Sequence, residues 1–255
     1  MSGLVSEPRR VGVATGLVET NLSVRSRRYR SGFGDAFSVN RRSREMPTPT
    51  EMFSQALRNH AAEFGIQLDA DEVRRLSNYY ELLRKWNDRL HLVAPCLPEE
   101  FATRHVLESL LLLPHLPENA SLVDVGSGAG LPIIPCLITR PDLRATLIES
   151  SPRKAVFLRE ALRNVISGEP AALTVARFEQ TDAPAADFVT CRALDRFQEF
   201  LPVLIEWSPP TSTLLLFAGQ ELRRQIEILV PNAKAERIPT SGRRYLMIAS
   251  QVSTV

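Results

Sequence analysis

Residues 122–132, LVDVGSGAGLP, join a short apolar run to a loop with three alternating glycines. A tight turn needs a single glycine, whereas alternating glycines also let a ligand approach the backbone. The spacing is GxGxG rather than the GxGxxG of dinucleotide sites, and the GK[ST] ending of a phosphate loop is missing. In an open α/β sheet such a loop lies at the carboxyl ends of the strands, where ligands bind. We therefore predict that Gly126, Gly128 and Gly130 hold a ligand.

Short apolar segments rich in β-forming residues follow one another through the second half of the chain. Helical stretches, residues 151–165 and 196–207 among them, separate most of these segments. Strands that alternate with helices predict a parallel sheet covered on both faces, in a doubly wound α/β domain. The predicted strands are SLVDVG, RATLIES, LTVAR, DFVTCRA, STLLLFAG and RRYLMIAS.

The chain ahead of the glycine loop has a helical pattern. Residues 50–64 and 69–93 carry apolar side chains at the spacing of one helix face. Residues 98–116 form a third stretch of this kind, ended by two prolines. These patterns predict a division of the chain into residues 1–47, an N-terminal helical region at 48–117, and the α/β domain at 118–255.

Residues 1–47 show neither a helical nor a strand period and are rich in Ser, Arg and Gly. Nine Arg and four acidic residues give residues 1–45 a charge of +5, so the rest of the chain carries −3. A disordered basic tail is the interpretation we favour. An Arg-rich RNA-binding arm is an alternative, and so is a start codon assigned too early, with Met46 or Met52 as the true start.

The composition limits the class of protein. The chain is 44% hydrophobic and 24% charged, which is typical of a globular protein with a proper core. No window approaches the roughly 18 apolar residues that a membrane span needs. The three cysteines share no CxxC spacing, so we expect no disulfide framework, no zinc site and a reducing cytoplasm.

Two carboxylates beside the loop indicate the kind of ligand. Asp124 comes directly before the glycines, where its charge would repel a phosphate and suits a cationic or amine-bearing ligand. Glu149 ends the next strand, where an acid commonly accepts hydrogen bonds from ribose hydroxyls. The alternative for Glu149 is a plain surface carboxylate. Together the loop and the two acids predict S-adenosylmethionine, which carries an amino group, a sulfonium and a ribose diol.

A family resemblance rests on several pieces whose order and spacing are more specific than the glycine loop. The chain resembles the bacterial small-subunit (16S) ribosomal RNA guanine-N7 methyltransferases, the glucose-inhibited division protein B family, from about Tyr79 to Ser250. The resemblance implies a Rossmann-like S-adenosylmethionine-dependent methyltransferase sheet with an N-terminal helical region. The pieces are YYELLRKWNDRLHLV, RHVLESL, DVGSGAGLPIIP, SPRKAVFLR, ARFE, TCRA and GRRYLMIAS.

The resemblance also assigns residues to the cofactor. It implies that Gly126 and Leu131 line the cofactor pocket, that Phe178 and Glu179 flank the adenine, and that Arg192 completes the site. Arg192 could instead be a solvated surface cation. Guanine N7 has an in-plane lone pair and no proton to lose, so the reaction requires no general base, and we expect no catalytic side chain of that type. The enzyme then contributes positioning and electrostatics.

The resemblance implies 16S ribosomal RNA, or the small ribosomal subunit, as the partner. We expect a cytoplasmic enzyme with no membrane association. The sequence leaves the oligomeric state open, with a monomer as the favoured interpretation. The basic residues Arg153, Lys154, Arg159 and Arg163 could contact RNA phosphates, or they could form a solvated helix face.

The chain departs from the family at three positions: Glu108 where Asp is usual, Ile133 where Gly is usual, and Ala218 where Lys is usual. The departures leave alternatives open. The enzyme could methylate another RNA or a small molecule, or the chain could be a degenerate cofactor-binding module. A nicotinamide oxidoreductase ranks last.

Overall fold

The computed structural model describes residues 46–166 and 171–250, so our interpretation of residues 1–45 lies outside the described part of the chain. Seven strands form one sheet in the order β3-β2-β1-β4-β5-β7-β6. The strands are β1 (Ser121–Val125), β2 (Arg144–Ile148), β3 (Ala171–Thr174), β4 (Phe188–Cys191), β5 (Thr213–Gly219), β6 (Lys234–Arg237) and β7 (Arg244–Ser250). All six predicted strands are present.

The predicted parallel pairing is confirmed for five strands and is wrong for the last strand. Strands β1 to β5 pair in parallel, but β7 runs antiparallel to both β5 and β6. Six residues separate β6 from β7, and a parallel connection would need a dozen or more. Strand β6 was not predicted, because three of its four side chains are exposed and it lacks an apolar pattern.

The glycine loop lies at the point where the strand order of the sheet reverses. Strand β1 lies between β2 and β4, so the chain winds outward to one side through β2 and β3 and then returns to the other side through β4 and β5. Ligands of doubly wound sheets bind at such a point, outside the carboxyl ends of the strands. The loop after β1 therefore lies where the fold class expects a site.

Two of the N-terminal helices begin with complete capping boxes. Thr48 caps α1 with Glu51, and Asp69 caps α2 with Glu72, so each pair satisfies main-chain N–H groups that a helix start leaves open. The helices are α1 (Pro49–His60), α2 (Ala70–Leu90), α3 (Pro98–Glu100), α4 (Ile133–Thr139), α5 (Pro152–Val165), α6 (Phe197–Trp207) and α7 (Gln220–Leu229). None of the described helices combines the length and apolar content that a membrane span requires.

The predicted third helix is not continuous. After α3 the chain forms a π-helix over Phe101–Leu107 and then a 3₁₀ helix over Leu110–His115. Pro114 lies inside the last turn, where it has no N–H to donate. A π-helical turn changes the direction of the side chains that follow it, and such turns are frequent at functional sites.

The N-terminal helices and the sheet share one hydrophobic core. A single cluster includes Phe53 of α1, Leu76 of α2 and Leu122 of β1, together with residues of α4 and α5. Helices α6 and α7 cover the opposite face of the sheet. The division at residues 117 and 118 stays a prediction, and the packing joins the two sides of that division.

One hydrogen bond ties α2 directly to the glycine loop. The Tyr79 hydroxyl donates to the Ala129 carbonyl oxygen over 2.7 Å, and the Tyr79 side chain is fully buried. Without this donor the Ala129 carbonyl would be left unsatisfied in the interior. The N-terminal helical region therefore fixes the loop that follows β1.

We expect Tyr79→Phe to lower the free energy of unfolding by about 1–3 kcal/mol, the penalty for an unsatisfied buried polar group. Tyr80→Phe is the matched control, because the buried Tyr80 ring packs on Phe53 while its hydroxyl donates to no described residue. Urea denaturation of both variants measures the difference. Equal stability of the two variants would show that the Tyr79 hydrogen bond does not stabilise the fold.

Candidate functional site

The glycine loop is shaped by close packing at its first and third glycines. Gly126 and Gly130 have φ angles of 72° and 81°, in the left-handed region. A Cβ on Gly130 would lie 2.2 Å from Ile134 Cδ1, and one on Gly126 would lie 2.8 Å from Leu194 Cδ1. Larger residues would therefore displace the loop from α4 and from the segment after β4.

Glu149 fastens the glycine loop from the end of β2. One carboxylate oxygen accepts from the Gly128 N–H over 2.8 Å, and the other accepts from the Ser151 N–H over 2.6 Å. The side chain is buried, which excludes the surface carboxylate that the sequence left open. Each oxygen keeps a second lone pair, so a ribose role for Glu149 stays a prediction.

Asp124 lies beneath the loop without a partner. It is 1% exposed, and neither carboxyl oxygen has a hydrogen-bond partner among the described residues. The Ser127 hydroxyl donates to the main-chain carbonyl of Asp124 over 3.0 Å. Burial raises the pKa of Asp124 from 3.8 to about 7. Thr190, its neighbour in register on β4, also has an unpartnered hydroxyl in this part of the structure.

Two clefts open beside the loop, and Gly126 lines both. The larger has a volume of about 470 Å³ and the smaller about 190 Å³. The larger cleft lies between the loop, the β4 and β5 ends and the segments that follow α2 and α3. The smaller cleft lies between the ends of β2, β3 and β4.

The structure brings most of the predicted site residues to these clefts. Gly126, Gly128, Leu131 and Arg192 line the larger cleft, and Phe178 and Glu179 line the smaller one with Gly126. The other three predicted residues lie behind the cleft surface, where they shape or support the loop: Asp124, Gly130 and Glu149.

The smaller cleft has an aromatic wall and a carboxylate. Phe178 is buried and meets the rings of Phe200 and Trp207 edge to face, with centroids 6.2 and 5.4 Å away. Glu179 stays partly exposed and pairs with Arg177 over 3.5 Å. An apolar slot with a carboxylate at its edge suits a flat heterocycle that carries an amino group.

Arg192 forms one wall of the larger cleft. Its guanidinium donates to the His105 carbonyl over 3.3 Å and lies over the Phe217 ring, 5.1 Å from the centroid. Glu108 pairs with Arg192 over 3.3 Å and also with Arg244. Only 14% of the Arg192 side chain is exposed, so a solvated surface cation is excluded.

Charge in this wall is concentrated around Glu108. Burial raises the pKa of Glu108, and the positive charges of Arg192 and Arg244 oppose that rise. Burial, followed by the charge of Arg192, lowers the pKa of His105 to about 4. His105 is therefore neutral near pH 7. This part of the cleft presents three arginines (Arg104, Arg192 and Arg244), one carboxyl group and one neutral imidazole.

Two positioning contacts at the larger cleft were not predicted from the sequence. The Asn87 amide accepts from the Val93 N–H over 2.9 Å and donates to the Val93 carbonyl over 3.1 Å, which fixes the loop that lines the cleft. Arg244 reaches the same cleft from β7. The GRRY piece carried a signal for Arg244, but no sequence pattern indicates where an antiparallel strand places it.

Comparison with known proteins identifies the family. Residues 72–241 match the family described as rRNA small subunit methyltransferase G. The chain belongs to this family. A Ribosomal RNA small subunit methyltransferase G from Xanthomonas campestris pv. campestris (strain B100) is 40% identical over 188 residues, which covers 71% of this chain and 88% of that relative.

Two more relatives carry the same name. One from Xanthomonas euvesicatoria pv. vesicatoria is 41% identical over 198 residues, 74% of this chain and 92% of the relative. One from Sorangium cellulosum is 36% identical over 186 residues, 70% of this chain and 76% of the relative. Membership confirms the resemblance seen in the sequence, the methyltransferase class and S-adenosylmethionine as the cofactor.

The departures from the family pattern take different places in the structure. Ile133 is fully buried in the core and lines neither cleft. Glu108 holds the two arginines of the cleft wall. Ala218 lines the larger cleft. Of the three positions, Ile133 therefore lies away from the surface that a ligand would touch.

The raised pKa of Asp124 predicts how the stability of the protein depends on pH. Between pH 4 and pH 7 the folded protein keeps this carboxyl protonated while the unfolded chain ionises it, so stability falls as the pH rises through that window. One pKa unit corresponds to about 1.4 kcal/mol, so the total is on the order of 4 kcal/mol. Asp124→Asn should remove this loss.

The measurement is urea denaturation of both proteins without cofactor at several pH values. His105 gives the opposite slope, since its lowered pKa makes stability rise with pH between about 4 and 6.5, but it does so in both proteins. The stability difference between Asp124→Asn and the parent should grow from pH 4 to pH 7.5. Parallel pH curves would show that Asp124 is not titrating in this window.

Proposed function

We propose that this protein transfers the methyl group of S-adenosylmethionine to N7 of a guanine in 16S ribosomal RNA. The family match supports the reaction class and the substrate class. The observation that carries the proposal is the pair of clefts that meet at Gly126, at the switch point of the sheet. One cleft suits the cofactor's base, and the other holds a second flat ring near the reacting end.

The smaller cleft is the binding site for the adenine of the cofactor. Phe178 supplies an apolar face, and Glu179 supplies an acceptor for an exocyclic amino group. Glu149 at the neighbouring strand end accepts from ribose hydroxyls with its free lone pairs. The unpartnered carboxyl of Asp124 suits a cationic amino group close to the glycine loop. These features fit S-adenosylmethionine, which supplies a methyl group on a sulfonium.

The larger cleft is the binding site for the target guanine. Guanine presents two acceptors, N7 and O6, on one edge. Arg192 and Arg244 give this wall a positive charge that favours the O6 acceptor, which leaves N7 free for the methyl group. The methylated base gains positive charge, and the Glu108 carboxyl offsets part of the charge of the arginine wall. No side chain has to remove a proton, because N7 carries none.

The placement of Ile133 weighs against a degenerate module. The residue that differs most in size from the family pattern is in the core and does not obstruct a cleft. Ala218 at the larger cleft keeps methylation of another RNA as the competing outcome.

The test is incubation with methyl-labelled S-adenosylmethionine and small ribosomal subunits that lack their native methylations. We expect a single N7-methylguanine in the digested 16S RNA. Arg192→Ala should abolish transfer, whereas Arg224→Ala, an exposed cation of α7 paired with Glu221, should leave transfer unchanged. Label on another atom, on another RNA, or no transfer at all would contradict the proposal.

The role of Glu149 has its own test. Glu149→Ala should weaken binding of S-adenosylhomocysteine by about 5- to 150-fold, since losing a charged hydrogen-bond partner costs about 1–3 kcal/mol. Glu160→Ala removes a carboxylate from α5 outside both clefts and is the control. Isothermal titration measures both affinities. Equal affinities for the two variants would take Glu149 out of the cofactor site.

A further inference from the structure

On two helices of the described structure, arginine side chains form ion pairs with neighbouring acidic residues. On the N-terminal half of α2, Arg74 and Arg75 both pair with Asp71. On α7, Arg223 and Arg224 pair with Glu227 and Glu221. Pairs of this kind are worth little to stability, but they cancel the local charge.

The C-terminal half of α2 and the whole of α5 differ. Among the residues that the structure describes, none of the seven Lys and Arg side chains there lies within 4.0 Å of a carboxylate. The acids of these segments are Glu81, Asp88 and Glu160, so the surface keeps a local charge of about +4. We name these seven residues the α2–α5 basic surface: Arg84, Lys85, Arg89, Arg153, Lys154, Arg159 and Arg163.

This surface runs up to the larger cleft. The Arg153 guanidinium donates to the Arg89 carbonyl over 3.3 Å, which joins the start of α5 to the end of α2. Lys154, the next residue, lines the cleft itself. Residues 92–94, just beyond the end of α2, line it too. Cations at this junction are therefore next to the cleft in which the proposed target base lies.

We propose that the α2–α5 basic surface binds the sugar-phosphate backbone of the RNA next to the methylated nucleotide. This inference rests on the proposed function and adds the face of the protein along which the substrate lies. Phosphate contacts fix the register and orientation of a nucleic acid without reading its sequence. The surface therefore positions the RNA, and the cleft selects the base.

An anionic membrane is the other partner that a basic surface could take, and the packing of α5 disfavours it. A helix that lies on a membrane exposes a broad apolar face. The apolar side chains Ala155, Phe157 and Leu158 point into the core, and Val156 is a single exposed aliphatic residue. Helix α5 therefore presents its positive charges without the exposed apolar face that membrane binding requires.

The test compares two triple variants that lose the same charge. The site variant carries Lys85→Gln, Arg89→Gln and Arg153→Gln. The matched control carries Arg58→Gln, Arg224→Gln and Lys234→Gln, three exposed cations on α1, α7 and β6 outside both clefts. Affinity for under-methylated small-subunit RNA is measured at several salt concentrations. Binding of S-adenosylhomocysteine verifies that each variant is folded with an intact cofactor site.

We expect the site variant to lower the slope of log K against log salt by about 2 to 3, since each phosphate contact contributes about 0.7–0.9. The control should keep the parent slope, and both should bind S-adenosylhomocysteine normally. If the parent methylates the RNA and the two variants have equal slopes, the RNA-binding role of the α2–α5 basic surface is contradicted and the proposed function is not. A parent that neither binds nor methylates the RNA would overturn both. Stronger binding of the parent to vesicles of phosphatidylserine than to the RNA would assign the surface to a membrane.

Discussion

The hydrogen bond from Tyr79 to the Ala129 carbonyl joins the N-terminal helices to the loop on which the whole site depends. From the other side, Glu149 holds the same loop through the Gly128 N–H. The loop is therefore clamped between a helix that precedes the sheet and the end of β2. The N-terminal helical region contributes a wall of the larger cleft as well as packing for the core.

Buried charge is used in two different ways around this loop. Glu108 is matched by two arginines, so a charge that would be expensive in the interior becomes part of a rigid wall. Asp124 has no such partner among the described residues and responds with a raised pKa. This unsatisfied carboxyl beneath the glycine loop is one basis for the cationic ligand that we propose.

The sequence predicted the sheet core and most of the cleft residues, because apolar strands and a glycine loop leave local patterns. It did not predict β6, whose side chains are mostly exposed, or the antiparallel direction of β7, which depends on the short connection between them. The role of Glu108 was also invisible, because its partners Arg192 and Arg244 lie elsewhere in the fold and one sequence carries no record of such contacts. The bond between Asn87 and Val93 is local in the chain, but no motif marks it. Gly130 illustrates the opposite case, since its contact with Ile134 is local and the motif alone marked it.

We propose that the two clefts at Gly126 form one site, with the cofactor in both and the target base beside Arg192. A crystal structure with S-adenosylhomocysteine and guanosine monophosphate bound would test this arrangement. We expect adenine against Phe178, the sulfur at the larger cleft, and guanine O6 on the arginine wall with N7 toward the sulfur. Adenine in the larger cleft, or guanine bound away from Arg192, would contradict the arrangement.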